Sequence, residues 1–247
     1  MNFSNKNVLI TGGTTGIGFA AASEFIKADA NVWITGRTAS NLEKAAAEIS
    51  SSKLKTIVCD TSKLSELSLL EKSFSKSKNK IDVLFLNAGI GVFAPIGLIT
   101  EEDFDAQFNT NVKGHFFTLQ KLLPHLSDGA SVIFTSSTVA TASNIATAVY
   151  SATKAALSKI AQIAANELAG RKIRVNIISP GPIATPGLDS VLSTDAKENM
   201  ANAVALQRLG NPDEIAKTVL FLASDGASFI TGTEIIADGG YINYSLR

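Results

Sequence analysis

The chain is poor in the features that mark secreted, membrane-bound and nucleic-acid-binding proteins. Its 247 residues include one cysteine, Cys59, which excludes an internal disulfide framework and fits a reducing compartment. Lysine plus arginine and aspartate plus glutamate number 22 each, so no net charge attracts a polyanion or an anionic membrane. No apolar run approaches the roughly 18 residues of a membrane helix, and residues 1–7 lack the apolar core of a secretory signal. We therefore expect a cytoplasmic protein without nucleic-acid or membrane partners.

Metal-binding patterns are also missing. The two histidines, His115 and His125, stand apart from each other and from any cluster of cysteines or carboxylates. Structural and catalytic metal sites place such ligands at short, regular spacings. The sequence therefore predicts no metal site.

What the chain does contain is an alternation of short apolar runs with longer helical stretches. Strands that alternate with helices pair in parallel through right-handed crossovers, and both faces of such a sheet are covered. The pattern predicts an α/β fold, a Rossmann-like doubly wound parallel sheet of about seven strands in a single domain spanning 1–247. The predicted strands are 8–11, 31–35, 56–59, 81–86, 131–135, 173–178 and 233–236, and the predicted helices are 16–28, 41–49, 64–77 and 150–168.

A glycine-rich segment joins the first predicted strand to the first helix. It reads Thr11-Gly12-Gly13-Thr14-Thr15-Gly16-Ile17-Gly18. Glycines at such a turn permit a tight bend, a close backbone approach to a pyrophosphate, and close packing of helix on strand. The helix N-terminus then offers free N–H groups to phosphate. A loop of this kind taken alone fits a simple tight turn equally well, so its position in the first βαβ unit is what favours a dinucleotide site.

The end of the second strand favours a particular dinucleotide. NAD-binding folds usually place an acidic residue there, against the ribose 2′-hydroxyl. Here the strand ends at Gly36, followed by Arg37 and Thr38, and no carboxylate occurs at this point. A guanidinium binds a 2′-phosphate through charge-assisted hydrogen bonds, and the hydroxyls of Thr14 and Thr38 add donors. We predict NADP(H); the alternative is that Arg37 is a solvated surface residue.

Polar side chains with catalytic potential follow two of the predicted strands or stand at the start of a predicted helix. Tyr150 and Lys154 lie four residues apart and share a helix face, so a cation stands beside a phenol whose pKa it is expected to lower. Ser137 follows the fifth strand, Asn87 follows the fourth, and Asn111 is expected to begin another helix. Each of these fits a cap or a turn when taken singly, but together they predict one lined cleft.

With these motifs in their order, the chain resembles the short-chain dehydrogenase/reductase family over essentially its whole length. The serine precedes the tyrosine by the family's spacing, and the ordered set is far more specific than any one member. The matching residues are Thr11-Gly12-x-x-x-Gly16-Ile17-Gly18, Asp60, Asn87-Ala88-Gly89, Asn111, Ser137, Tyr150-x-x-x-Lys154, Pro180-Gly181 and Asp238-Gly239-Gly240.

The resemblance implies a carbonyl reductase or alcohol dehydrogenase. Tyr150 would exchange a proton with the substrate oxygen, Ser137 would bind that oxygen, Lys154 would lower the pKa of Tyr150 and bind the nicotinamide ribose, and Asn111 would help to hold a water of a proton relay. Relatives of this kind are mostly homotetramers, some dimers. The cofactor residues implied are Gly12, Thr14, Thr15, Gly16, Ile17, Gly18, Arg37, Thr38, Asp60, Thr61, Asn87, Ala88, Gly89, Tyr150, Lys154, Pro180, Gly181, Ile183 and Thr185.

The substrate is the least constrained part of the prediction. An irregular stretch from residue 180 to about 200 is expected to form a loop, and 180–203 is predicted to be the substrate-binding region. Val139, Asn144 and Leu188 are the candidate substrate contacts, and the apolar side chains of Val191, Leu192 and Met200 favour a hydrophobic carbonyl compound.

Two other functions stay open. One is a 3-oxoacyl-[acyl-carrier-protein] reductase, for which Arg171 could help to dock an acidic carrier, although 126–129 offers an Asp and no second arginine. The other is a dinucleotide-sensing protein without enzymatic activity, because a fold does not prove catalysis. The retention of Ser137, Tyr150, Lys154 and Asn111 favours an enzyme.

Overall fold

A computed structural model describes residues 1–77, 80–189 and 193–243. Its centre is a parallel sheet of seven strands in the order β3-β2-β1-β4-β5-β6-β7. The predicted class, a Rossmann-like doubly wound parallel sheet, is confirmed. The strands are β1 Asn7–Ile10, β2 Asn31–Gly36, β3 Leu54–Val58, β4 Ile81–Leu86, β5 Leu126–Thr135, β6 Arg174–Pro180 and β7 Glu234–Ala237.

Helices cover both faces of this sheet. Alternate strand residues point to opposite faces, so Leu9 joins one apolar cluster while Val8 and Ile10 join the other. Helices α3, α5 and α6 pack in the first cluster, and α1, α2 and α9 pack in the second. The helices are α1 Gly16–Lys27, α2 Ala39–Ile49, α3 Leu64–Ser77, α4 Glu101–Phe108, α5 His115–Leu122, α6 Ala148–Glu167, α7 Pro186–Asp189, α8 Thr194–Asn202 and α9 Pro212–Ala223.

The strand order reverses direction between β1 and β4. The chain leaves β1 toward one edge of the sheet and, after β4, continues toward the other. The connections that leave the carboxyl ends of these two strands therefore diverge, and this opens a crevice there. The glycine-rich segment follows β1 and Asn87 follows β4, so both lie at this crevice.

Three sequence expectations about local structure were wrong. Asn111 does not begin a helix: it lies in a π-helical turn, Asn109–Gly114, between α4 and α5. The fifth strand begins at Leu126 and not at 131, with an irregular register opposite Ile81 and Val83. The stretch after residue 180 is not a plain loop, since it contains α7 and α8. Val191 and Leu192 lie outside the described residues.

Two further helices, α4 and α9, were also not predicted from the sequence. Each begins with a capping box, in which the N-cap side chain and a carboxylate three residues later exchange hydrogen bonds with the backbone. In α9 the N-cap is Asn211 and Pro212 occupies the first helical turn. α9 packs against α1 and completes the cover of that face of the sheet.

Candidate active site

The glycine-rich segment packs directly on the backbone that follows β4. Gly12 has a φ of +66°, and a Cβ there would lie 2.8 Å from the Cα of Ala88. A Cβ on Gly18 would lie 2.6 Å from Nδ2 of Asn87, with the Gly12 carbonyl oxygen closer still. Only glycine fits these two positions, so the spacing that was read from the sequence has a steric cause.

Side chains of Thr11 and Asn87 fasten the segment in place. The hydroxyl oxygen of Thr11 accepts hydrogen bonds from the backbone N–H groups of Asn87 (2.9 Å) and Ala88 (3.2 Å). The Asn87 amide in turn donates to the Gly12 carbonyl at 3.1 Å and accepts from the Thr135 hydroxyl at 3.2 Å. Asn87 therefore ties the ends of β1, β4 and β5 together at the crevice.

The start of α1 has the chemistry of a phosphate site. Thr15 is its N-cap and makes no side-chain cap bond with any described residue, so the first N–H groups of the helix lack a side-chain acceptor. The first turn, which is fully described, holds no acidic side chain. Gly16, with a φ of +56°, packs closely on Thr185, whose methyl group would lie 3.3 Å from an added Cβ. Such N–H groups suit an anion such as a phosphate, and half-buried Ile17 anchors the helix to the core beneath it.

The end of β2 lies beside the same loop. A Cβ on Gly36 would lie 2.6 Å from the Thr14 methyl group, so glycine permits the contact between the loop and β2. Arg37 follows and is exposed. The hydroxyl of Thr38 caps α2 by accepting a hydrogen bond from the Asn41 N–H at 3.4 Å, so it is already engaged.

Two of the predicted cofactor residues, Asp60 and Thr61, follow β3. Asp60 is half-buried, and one of its carboxylate oxygens accepts hydrogen bonds from the N–H and the hydroxyl of Ser62. Thr61 is buried, and its carbonyl oxygen lies against Gly114, where a Cβ would come within 2.8 Å of it. The π-helical turn is thus packed on the loop after β3.

Ser137, Tyr150 and Lys154 come together beside the crevice. Ser137 follows β5 and hydrogen-bonds the Tyr150 hydroxyl, while Tyr150 and Lys154 lie in the first two turns of α6. The Lys154 ammonium is buried, donates to the carbonyl of Thr135 at 2.9 Å, and lies 5.6 Å from the centre of the Tyr150 ring. The sequence prediction that these three side chains share one site agrees with this arrangement.

The pKa of the phenol departs from the expectation. Desolvation raises the pKa of Tyr150 to about 12, and the hydrogen bond from Ser137 opposes this only in part. Burial lowers the pKa of Lys154 to about 8. The expected net lowering of the phenol pKa is wrong in this structure, because desolvation outweighs the opposing hydrogen bond with Ser137.

Asn111 is fully buried and holds the segment after Gly89. Its amide oxygen accepts from the Ile90 N–H at 2.9 Å, and its amide nitrogen donates to the Ile90 carbonyl at 2.8 Å and to the Thr153 hydroxyl at 3.1 Å. A Cβ on exposed Gly89 would lie 3.4 Å from the Asn111 amide oxygen and 3.5 Å from the Lys154 nitrogen. These distances place the side chain of Asn111 next to the lysine.

The segment after β6 returns to the glycine loop. Gly181 packs on Asp238, where a Cβ would lie 2.7 Å from the Asp238 Cα, and its N–H donates to the Ala237 carbonyl. Buried Ile183 forms an isolated β-bridge with Gly210. Pro180 is buried at the end of β6, and Thr185 reaches Gly16 as described above. Of this set, Thr185 is the residue that lies against the start of α1.

The predicted substrate residues do not all lie at the same cavity. Val139 and Asn144 line an open cavity of about 630 Å³ between residues 95–96, the 139–148 loop and α6. Ala148, Ala152 and Ala155 line it as well, and helical periodicity puts them on the face of α6 opposite Tyr150 and Lys154. Leu188 is half-buried in α7 and is not among the described residues that line this cavity. The cavity is therefore separate from the Tyr150 hydroxyl.

The sequence reasoning missed the roles of several residues near the site. Thr11 and Thr135 act through the hydroxyl contacts given above, and buried Gln107 accepts a hydrogen bond from the Val92 N–H at 3.1 Å. Phe93 packs its ring edge-on against Tyr150, with ring centres 5.3 Å apart. Threonine at a strand end was a usable signal for the first two, whereas Gln107 and Phe93 have no distinctive local pattern.

Two features of the described residues bear on other functions. Histidines, cysteines and carboxylates do not gather anywhere among them into a group of three that could hold a metal ion. None of the described helices has both the length and the apolar character needed to cross a membrane.

Known proteins resemble this chain along nearly its whole length. The family model described as Enoyl-(Acyl carrier protein) reductase matches residues 12–242. Oxidoreductase asL5 of Sarocladium schorii is 37% identical over 239 residues, covering 96% of each protein. The 3-oxoacyl-[acyl-carrier-protein] reductase FabG of Thermotoga maritima is 35% identical over 246 residues, covering 98% of this chain and 100% of the relative.

A solved structure agrees with these relatives. The Brucella melitensis protein described as short-chain dehydrogenase/reductase SDR:Glucose/ribitol dehydrogenase superposes with a TM-score of 0.93 at 32% identity, and the match covers 100% of both chains. The sequence matches and this structure point to the same family. The chain therefore belongs to the short-chain dehydrogenase/reductase family and is an oxidoreductase of the kind that uses a nicotinamide dinucleotide.

Proposed function

We propose that the protein is an NADP(H)-dependent oxidoreductase that reduces a ketone or an aldehyde to an alcohol, or catalyses the reverse reaction, with Tyr150 as the general acid/base. The observation that supports this most is the cluster of Ser137, Tyr150 and Lys154. Hydrogen bonds through Thr135 and Asn87 link this cluster to Gly12 in the glycine-rich segment. The residues that act on the substrate oxygen and those that bind the cofactor would thus line the same crevice.

The residues around the crevice fit the cofactor. The N-terminus of α1 with Gly16 and Thr185 would hold the pyrophosphate, Asp60 the adenine, and Lys154 the nicotinamide ribose. The bound nicotinamide would supply or accept the hydride. The remaining proposed cofactor contacts are Gly12, Thr14, Thr15, Ile17, Gly18, Thr38, Thr61, Asn87, Ala88, Gly89, Tyr150, Pro180, Gly181 and Ile183.

Tyr150 would be the residue that transfers the proton. With a pKa of about 12 the phenol is protonated at neutral pH, as an acid that protonates a carbonyl oxygen must be. Ser137 would hold the same oxygen, and the Lys154 charge, 5.6 Å from the phenol ring, would stabilise the phenolate left after transfer. Asn111, whose amide binds Ile90 next to Lys154, would support the proton relay behind the lysine.

The preference for NADP(H) over NAD(H) depends on Arg37. The side chain is exposed at the end of β2, and it takes no part in the ion pairs found among the described residues. A guanidinium that is free in this way is available to a 2′-phosphate. Thr14, which packs on Gly36 beside it, would contribute a hydroxyl.

A second candidate is a 3-oxoacyl-[acyl-carrier-protein] reductase, favoured by the match to the Thermotoga maritima protein of that name. The contacts that Arg171 makes within this chain argue against docking of a carrier protein at this residue. Its guanidinium is already bound to Asp128 at 2.8 Å and to the carbonyls of Leu123 and Leu126. We rank this function second for that reason.

The proposal includes a cytoplasmic homotetramer or homodimer built from one domain, with 180–203 as its substrate region. Exposed apolar side chains on three neighbouring helices support self-association: Phe104 on α4, Phe116 on α5 and Ile163 on α6. Apolar patches of this kind on a soluble fold often mark an interface.

A steady-state screen tests the proposed function. Ketones, aldehydes and 3-oxoacyl thioesters are offered with NADPH and with NADH, and cofactor oxidation is followed. We expect turnover of at least one simple carbonyl compound, faster with NADPH. Turnover confined to acyl thioesters would favour the second candidate, and NADPH binding without any turnover would favour a dinucleotide sensor.

A further inference from the structure

The ring of Phe93 lies against the ring of the proposed catalytic tyrosine. The two ring centres are 5.3 Å apart at an interplanar angle of 74°, which is the edge-to-face arrangement that aromatic pairs prefer. Phe93 nevertheless remains 43% exposed. An exposed phenylalanine is unremarkable by itself, but this one lies against the ring that carries the hydroxyl proposed to transfer the proton.

The position of Phe93 is fixed by the residues before it. Asn111 binds both backbone groups of Ile90, and buried Gln107 accepts from the N–H of Val92 at 3.1 Å. Gly91 lies under the ring, where a Cβ would come within 2.8 Å of the Phe93 ring and 3.4 Å of the Tyr150 ring. The segment thus holds the aromatic ring in place next to Tyr150.

We infer that Phe93 is a specificity-determining residue that contacts the non-reacting substituent of the substrate and selects carbonyl compounds with an aromatic substituent. This inference rests on the proposed role of Tyr150. A carbonyl oxygen bound to Tyr150 and Ser137 brings the groups on its carbonyl carbon next to the Phe93 ring. An aromatic substituent gains both apolar contact and a second edge-to-face pair there, whereas a short alkyl group gains little.

The test compares acetophenone with 2-butanone as substrates of the wild type, Phe93→Ala and Phe93→Tyr. We expect Phe93→Ala to lower kcat/KM for acetophenone by about tenfold, mainly through KM, and to leave 2-butanone nearly unchanged. Phe93→Tyr keeps the ring and should retain the preference for acetophenone. The matched control is Phe221→Ala, which removes a ring of similar exposure (37%) on α9 and should change neither substrate.

Equal losses on both ketones, or none on either, would overturn the inference, since the first would indicate a structural role and the second no role. If neither ketone is reduced, the proposed function fails separately, and equilibrium binding of acetophenone to the NADPH complex decides the role of Phe93. Weaker binding by Phe93→Ala than by the wild type supports it. Equal binding, or no binding by the wild type, overturns it.

Discussion

The two sides of the crevice are built by different means. On the side of β1 and β4, backbone packs on backbone: Gly12 and Gly18 lie against Ala88 and Asn87 with no room for a Cβ. On the side of β5 and α6, buried side chains meet: Lys154 reaches the carbonyl of Thr135. The first side, here called the steric side, depends on close backbone packing. The second, here called the electrostatic side, depends on charged and polar groups that are buried away from water. Substitutions should therefore separate cofactor binding from proton transfer.

The largest effect is expected on the electrostatic side. Lys154→Met removes the cation beside Tyr150 and should lower turnover by about 10²–10⁴-fold. It should not lower the free energy of unfolding at pH 7, because the buried ammonium is itself costly, as its lowered pKa shows. Lys159→Met, an exposed lysine further along α6, is the control and should leave both quantities near wild type.

Comparison with the same variant should also reveal a pH dependence of the free energy of unfolding. The pKa of Lys154 is about 8 in the folded protein and 10.5 as a model value, so the unfolded chain binds more protons between these values. The free energy of unfolding of the wild type, relative to Lys154→Met, should rise as pH increases from 8 to 10. Denaturant titrations of both proteins at several pH values measure it. A difference that stays flat would contradict the burial of the charge.

On the cofactor side, Arg37→Ala should weaken NADPH binding by about 10–100-fold, the value of one or two lost charge-assisted hydrogen bonds. NADH lacks the 2′-phosphate, so its affinity should change little and serves as the internal control. Fluorescence titration with both reduced cofactors measures this. An equal loss for the two would remove the basis of the NADP(H) assignment.

The steric side is tested by a glycine pair. Gly18→Ala forces a methyl group onto Gly12 and Asn87 and should lower the free energy of unfolding by about 1–3 kcal/mol, together with a loss of cofactor affinity. Gly170→Ala is the matched control, because nothing lies within 4 Å of its Cβ position. Its stability should stay the same or rise slightly. Equal effects of the two changes would mean that the loop is not in tight contact.

The smallest predicted effect concerns acid stability. His115 is buried, and desolvation lowers its pKa to about 3 from 6.5. The unfolded chain therefore binds more protons between these values, and this residue makes the fold lose stability as pH falls below 6.5. His115→Phe, which can still pack on Phe134, should lose less stability between pH 7 and pH 5 than the wild type. Thermal unfolding at both pH values measures the difference, and an identical loss would refute it.

The steric side was also the more predictable from sequence. Gly12 and Gly18 stand where backbone contacts leave no room for a Cβ, and Gly16 has a positive φ, so their spacing is fixed and is visible in the sequence. The β-branched runs likewise predicted the sheet, because parallel strands that are covered on both faces consist of nearly continuous apolar residues. Helix α9 could have been predicted as well, because Asn211-Pro212 and Glu214 form a helix start that propensity rules describe.

The electrostatic side was less predictable for physical reasons. The spacing of Tyr150 and Lys154 predicted their common helix face, but the pKa of the phenol depends on burial, which arises from tertiary packing. The π-helical turn around Asn111 has no sequence signal of its own. One extra residue in a helical turn changes the spacing of the apolar residues too little to be distinguished from that of an ordinary α-helix. The contact between Phe93 and Tyr150 joins residues far apart in the chain and follows from the path of residues 90–93 after β4.

The most direct test of the account is to measure, on the same sample of Tyr150→Phe, both the dissociation constant for NADPH and the turnover of a carbonyl compound that the wild type reduces. Tyr241→Phe, which changes a tyrosine hydroxyl bound to Asn144, serves as the control. The account predicts an NADPH affinity close to wild type with turnover reduced at least about 100-fold. Wild-type turnover by Tyr150→Phe with NADPH binding intact would contradict it.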